Sequence, residues 1–229
     1  MSEPPKVAPV PPRRALADAV YSQLTALIMD HAIEPDARLN IDALARDLAV
    51  SPTPVREALA RLESDGLVAK EPLRGYRTTA VLTPGELAQV FEFRGVVEPW
   101  AAGQAARKRS AEQAAALWAE LASAPAATAV RGDDYAHYSA LAQHDHRFHT
   151  LVLQLAGNDV LTGAFERTNA HLHQFRYGFA SRSTADTLTE HQAIATAIEA
   201  GEVRTARTAM ATHLHAAHDR ITRAASAHD

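Results

Sequence analysis

Cysteine is absent from this chain of 229 residues. Disulfide bridges, thiolate metal ligands and cysteine nucleophiles are excluded together, while the compartment stays undecided on this ground. Long apolar runs are missing too. No stretch reaches the length of a membrane span, and the N-terminus lacks the apolar core of a secretion signal. The expectation is a soluble, cytoplasmic protein without a membrane partner. A surplus of positive charge is also lacking. The formal net charge is -4, so any contact with nucleic acid must be argued from local features. Runs of β-branched residues are few and alanine is abundant, which favours helices. The composition, 47% hydrophobic and 22% charged, is that of a globular protein. The length allows two modest domains or one large one.

Residues 1–14 contain Pro4, Pro5, Pro9, Pro11 and Pro12 and end in Arg13-Arg14. They read as a disordered arm. Over residues 15–82, Val20, Leu24, Leu27 and Ile28 recur at helical spacing and give a first helix from residue 15 to about 30. Asp42 is the expected N-cap of a short second helix with Leu44, Ala45 and Leu48. Ser51 is the expected N-cap of a third, which starts with Pro52-Thr53-Pro54 in the first turn, where backbone N–H groups lack helical partners. Val55, Leu59 and Leu62 face inward, and Gly66 ends that helix. Residues 67–70 and 76–80 then read as strands around Pro72-Leu73-Arg74-Gly75, a hairpin with an arginine at its tip. Helix, short helix, turn, helix and hairpin make a winged helix-turn-helix. Its third helix enters the DNA major groove N-terminal end first. A small helical domain with an incidental hairpin fits the same pattern.

Residues 83–229 read as a second, all-helical domain. Thr83-Pro84-Gly85-Glu86 is a capping box with proline at the first helical position. Leu87, Val90, Phe91, Arg94, Val97 and Ala101 form the inward stripe, and Pro99 is expected to kink or split this helix. Ser110 and Gln113 cap the next. Tyr135 opens a helix that Gly157 stops, and Asn158 caps one long helix with Leu161, Phe165, Leu172, Phe175 and Phe179 inward. Gly201 separates the last two helices.

Three inward stripes carry residues that do not belong in an apolar core. Asp145 and His149 lie one turn apart on the face that also carries Leu141, Phe148 and Val152. His191 lies with Leu188, Ala195 and Ile198, and His213 with Ala206, Met210 and Ile221. Burying such groups costs several kcal/mol or more unless something compensates them. A divalent ion bound by Asp145, His149, His191 and His213 is the simplest compensation, and a metal-free polar network is the alternative. Without sulfur ligands, Zn, Ni, Mn and Co all suit the site. His144, His146, His215 and His218 read as solvated or as backing for the ligands. Arg94 has two readings: a structural pair with Glu98, or a two-pronged anchor for the carboxylate of an organic acid. Asn169 and Arg176 are further candidates for the same cavity.

The run Ser51-Pro-Thr-Pro-Val-Arg-Glu-Ala-Leu-Ala-Arg-Leu-Glu, followed by Asp65-Gly-Leu-Val and Arg74-Gly, resembles the DNA-binding signature of the GntR family of bacterial transcription regulators. The family usually has arginine after the serine, where this chain has Pro52. The resemblance implies a missing DNA contact and leaves operator sequence and affinity open. Asp145-x-x-x-His149, Ala156-Gly-Asn158, Glu190-His191 and Met210-x-x-His213 are similar to the all-helical FCD effector domain of the FadR branch. In metal-binding members the matching aspartate and histidines coordinate a divalent cation at the floor of the effector cavity. The two resemblances cover about residues 15–224.

The function they imply is a homodimeric repressor, with activation as an alternative. It binds a pseudo-palindromic double-stranded DNA operator, a divalent metal and a small organic acid. On the DNA side, Arg56 is the expected reader of guanine. Ser51, Thr53 and Arg74 are expected near phosphates or in a groove. Arg61 either joins them or bridges Glu57 or Asp65. A metal-dependent hydrolase or lyase using the same ligands is the rival reading. A purely structural metal with a closed coordination sphere is a third.

Overall fold

A computed structural model describes residues 13–125, 135–177 and 184–225. Residues 1–12 of the arm expected over 1–14, the stretch around Phe179 and the side chain of Phe175 lie outside what it describes. Contacts divide the chain into a first unit ending at Ala80 and a second beginning at Val81. The protein is mainly helical, with one small sheet.

In the first unit, α1 spans Arg13–Met29, α2 Ile41–Asp47 and α3 Pro52–Ser64. The sheet is made of β1 (Arg38–Leu39), β2 (Val68–Glu71) and β3 (Gly75–Thr78) in the order β1-β3-β2, all antiparallel. Val20, Leu24, Ile28, Val55, Leu59 and Leu62 are buried and form its core. Three details differ from the sequence reading. α1 begins at Arg13, not at residue 15. Asn40, not Asp42, caps α2, because its Oδ1 accepts from the N–H groups of Asp42 and Ala43 at 2.9 and 3.0 Å. β1 is an additional strand, two residues long, and too short to leave a periodic signal. Thr78 fixes the segment before β1: its hydroxyl donates to the Glu34 carbonyl at 2.7 Å and accepts from Ala37 N–H at 2.9 Å. The hairpin tip turns at Leu73 and Gly75, with φ of 63° and 91°.

In the second unit, α4 spans Pro84–Lys108, α5 Ala111–Ala122, α6 Tyr135–Ala156, α7 Asp159–Arg167, α8 Ala170–Tyr177, α9 Thr184–Ala200 and α10 Val203–Ala225. Capping boxes at Thr83/Glu86 and Ser110/Gln113 start α4 and α5, each worth roughly 0.5–2 kcal/mol. α4 is the spine, packed on α6, α9 and α10. It runs through Pro99 without splitting. Burial of Arg94, Val97, Glu98, Ala101 and Ala102 around the proline outweighs the one hydrogen bond lost there. The single helix expected after Asn158 is two helices. Asn169 breaks it with φ of 44°, a conformation asparagine tolerates better than most residues. Among the described residues no helix is long and apolar enough to cross a membrane.

Candidate metal centre and DNA-reading helix

α6 places Asp145 and His149, α9 places His191 and α10 places His213. All are buried, and one ligating atom from each lies within 4.8 Å of the others. Two ligands of one ion lie at most about 4.0–4.4 Å apart, twice a metal–ligand bond of ~2.0–2.2 Å, so side-chain shifts of less than about 1 Å let the four surround one ion. The apolar surroundings are those of a core. Phe148 stacks on the His191 ring at 4.1 Å, and Val152, Ile194, Ile198 and Met210 are fully buried nearby.

Each histidine is oriented through its other nitrogen. Glu98 faces His149 Nδ1, and Glu190 Oε2 lies 2.7 Å from His213 Nδ1. His191 Nδ1 lies 3.3 Å from His144 Nε2, whose own Nδ1 is 2.9 Å from Glu120 Oε1. Burial raises the Glu98 carboxyl, but Arg94 and His149 outweigh it and bring it to about 2. Burial likewise raises Glu190, and bonds from Arg220 and His213 bring it to about 2. Ionised carboxylates only accept, so the facing Nδ1 atoms carry the protons. By the same logic His144 donates to Glu120 and accepts from His191. All three ligand histidines therefore turn Nε2 toward one point.

The consequences are visible at that point. Nε2 of His149 and Nε2 of His213 are 3.1 Å apart. Nε2 of His191 is buried without a hydrogen-bond partner and lies 3.6 Å from Asp145 Oδ1. Burial pushes His191 and His213 below the ordinary histidine range, outweighing the Asp145 carboxylate at His191 and the Glu190 bond at His213. Burial would raise Asp145, but His149, His191, Arg94 and His213 hold it far below the usual carboxylate range. One carboxylate and three imidazole nitrogens converging in a buried place are the donor set that a divalent cation requires.

A cavity of about 20 Å³ opens beside this cluster, lined by Asp145, His213, Arg94, Gln174, Thr187 and Arg220 among others. Arg94 is engaged there. Its Nε donates to Glu98 Oε1 at 2.5 Å and a terminal nitrogen donates to Gln174 Oε1 at 2.9 Å. Asn169 sits half-buried at the α7–α8 junction, and Arg176 is buried in α8; neither lines this cavity. Sequence reading did not single out Gln174, Glu120 or Arg220, and it quoted Glu190 only within the Glu190-His191 pair of the FCD resemblance. His144, read as solvated or as backing for the ligands, is buried against His191. His146 instead stacks on His171 at 3.8 Å. His215 and His218 lie on α10, against the half-buried Asp219.

In the first unit, Ser51, Thr53, Arg56 and Arg61 are exposed on or before α3, and Arg74 is exposed at the hairpin tip. Ser51 stands at the N-cap position without a side-chain capping bond. Arg61 bridges neither Glu57 nor Asp65. It pairs with Asp18 at 2.5 Å and lies 4.1 Å over the Tyr21 ring, both on α1. Tyr21 takes Asp65 instead, its hydroxyl donating at 2.6 Å.

A winged helix-turn-helix followed by an all-helical unit with a buried His/Asp centre defines a DNA-binding transcription regulator with an effector domain. The sequence pattern of the bacterial regulatory proteins of the gntR family matches residues 16–77, and that of the FCD domain matches residues 89–216. The chain belongs to the GntR family and carries an FCD domain; it is a regulator, not an enzyme. It is 30% identical over 206 residues to an HTH-type transcriptional regulator in an unstable DNA locus of Streptomyces ambofaciens, covering 89% of this chain and 84% of the relative. It is 27% identical over 176 residues to the HTH-type transcriptional regulator YdhC of Bacillus subtilis, 76% of each chain. Among solved structures, a GntR transcriptional regulator of Rhodococcus sp. RHA1 aligns with a TM-score of 0.65 at 25% identity, over 92% of this chain and 99% of that one. E. coli McbR/YncC shares the fold, with a TM-score of 0.67 at 21% identity over 91% and 97% of the two chains.

Proposed function

We propose that this regulator is a homodimeric, metal-containing repressor released by a small organic acid. Residues 15–82 bind DNA, and residues 83–229 bind metal and effector and hold the dimer. The observation that carries the metal assignment is the convergence of the Nε2 atoms of His149, His191 and His213 beside Asp145 in a buried pocket. The ion, Zn, Ni, Mn or Co, supplies Lewis acidity and positive charge toward the cavity. Three neutral imidazoles and one carboxylate leave it net positive, so an effector carboxylate is drawn there. The cavity beside Asp145 and His213 favours an open site over a closed, structural one. A proton shared between His149 and His213 is the metal-free competitor.

On DNA, Arg56 reads a base from the N-terminal end of α3, with Ser51, Thr53 and Arg74 on the backbone or in a groove. Arg61, held by Asp18 and Tyr21, braces α3 on α1. Two-fold symmetry places half-sites about one helical turn apart on a pseudo-palindromic operator. The effector acts by favouring one of two states of the dimer. The test is an operator titration of the full-length protein across a panel of metals and organic acids, with light scattering for assembly. Metal-dependent release by an organic acid from a dimer is expected. Binding unaffected by every metal and acid, or a monomer with and without DNA, contradicts the reading.

A further inference from the structure

We propose that Arg220 is the carboxylate anchor of the effector cavity, and that the chain Arg220–Glu190–His213 couples anion binding to metal affinity. This rests on the metal and organic-acid reading above and assigns its ligand contact and its regulation.

Two arginines line the cavity, Arg94 and Arg220. Arg94 is 2% exposed and faces Glu98, itself 1% exposed. If Arg94 turned to a ligand, a buried carboxylate would be left uncompensated. Arg220 differs. Its side chain is 14% exposed and that of Glu190 is 23% exposed. Water can take over the Glu190 oxygens when Arg220 turns to another carboxylate, so exchanging partners costs less there. The cavity, about 20 Å³, holds a body no larger than a water molecule or two. An organic anion therefore needs a lining side chain to move, and Arg220 is the cation able to do so. Its planar fork suits a carboxylate in two-pronged contact.

The same movement reaches the metal ligands. Glu190 Oε1 accepts from one terminal nitrogen of Arg220 at 2.7 Å. Oε2 is shared, lying 2.8 Å from the other terminal nitrogen and 2.7 Å from His213 Nδ1. When an incoming carboxylate draws Arg220 away, Oε2 serves His213 alone and becomes a stronger acceptor. A stronger acceptor at Nδ1 makes Nε2 a better metal ligand. Glu190 also precedes His191 on α9, while Arg220 and His213 are both on α10, so the pair ties together two ligand-bearing helices. Anion and metal then bind with positive coupling, and the coupling is reciprocal.

The experiment titrates full-length, chelator-treated protein with Co(II), followed by its visible absorption. Formate or acetate is added, with chloride at equal ionic strength as control and correction for the weak solution complexes. Acetate is expected to tighten Co(II) binding by about fivefold or more in the wild type. In Arg220→Gln this gain should fall to about twofold or less, with Co(II) alone bound at least as tightly as by wild type, because Glu190 is freed toward His213. Glu190→Gln should weaken Co(II) alone by about 10–100-fold. Arg220→Lys keeps a cation against Glu190 but not the fork, and serves if Arg220→Gln does not fold; its coupling should also fall. Undiminished coupling in either Arg220 variant overturns the proposal. Wild-type protein that binds Co(II) indifferently to formate and acetate overturns it while leaving the metal reading intact. Wild-type protein that binds no Co(II) removes the metal reading and this proposal together.

Discussion

Gln174 Nε2 donates to Asp145 Oδ2 at 3.0 Å. The same amide accepts from Arg94 through Oε1, so one side chain on α8 links the buried arginine to the candidate ligand. With Oδ2 held, Oδ1 is the oxygen left facing His149 and His191, at 3.7 and 3.6 Å from their Nε2 atoms. Replacing Gln174 with leucine keeps the volume and deletes both bonds. The expected cost is about 1–3 kcal/mol for each buried group left unsatisfied, with metal affinity reduced about 10–100-fold. Urea denaturation with and without metal, alongside metal titration, measures both. Unchanged stability and unchanged affinity would show that Gln174 does not orient Asp145.

Arg56 and Arg61 lie on the same helix and should respond oppositely. Arg56 is exposed near the start of α3. Arg56→Ala should cost about 1–3 kcal/mol of specific operator binding and leave thermal stability unchanged. Arg61→Ala removes the Asp18 pair and the Tyr21 contact. It should lower the stability of the first unit by up to about 1 kcal/mol, since an exposed pair contributes little, and affect operator binding less. Anisotropy titrations at fixed salt and thermal melts separate the two. Equal losses of DNA affinity would place both residues at the DNA.

Acid should destabilise the protein in two stages. Burial holds His144, His191 and His213 below the ordinary value of 6.5. Below that pH the unfolded chain takes up protons that the folded one refuses, so stability falls as pH falls. Glu98 and Glu190 sit at about 2 against an ordinary 4.5. Their contribution is complete above 4.5 and is lost as pH falls from there toward 2. Denaturant midpoints of the metal-free protein should be level above neutrality, decline below about 6.5 and drop further below about 4.5. A midpoint that rises between pH 7 and 5 would contradict the neutral state assigned to these rings.

Features coded locally were legible in the sequence. Ser51, Thr83/Glu86 and Ser110/Gln113 mark helix starts through residues three or fewer apart. The anomaly of Asp145, His149, His191 and His213 was legible because helical spacing puts each on an apolar stripe. What depends on a distant partner was hidden. β1 exists only through pairing with β3. The break at Asn169 is a backbone choice that its asparagine permits without demanding. Pro99 breaks a helix in isolation, yet here the packing around it prevails. His144 read as solvated or as backing for the ligands, and only its distant partner His191 decides between the two. Glu190 and Arg220 are 30 residues apart, and nothing in either local pattern announces their bond.

The central claim is that Asp145, His149, His191 and His213 hold one divalent ion. Elemental analysis tests it most directly, on full-length protein stripped with chelator, resupplied with Zn, Ni, Mn or Co, and dialysed. The account predicts close to one ion per chain for the single cluster among the described residues. It predicts near-complete loss in His191→Ala and His213→Ala, with the DNA-binding unit still folded. Wild-type protein that retains none of these metals, or alanine variants that retain them fully, would contradict it.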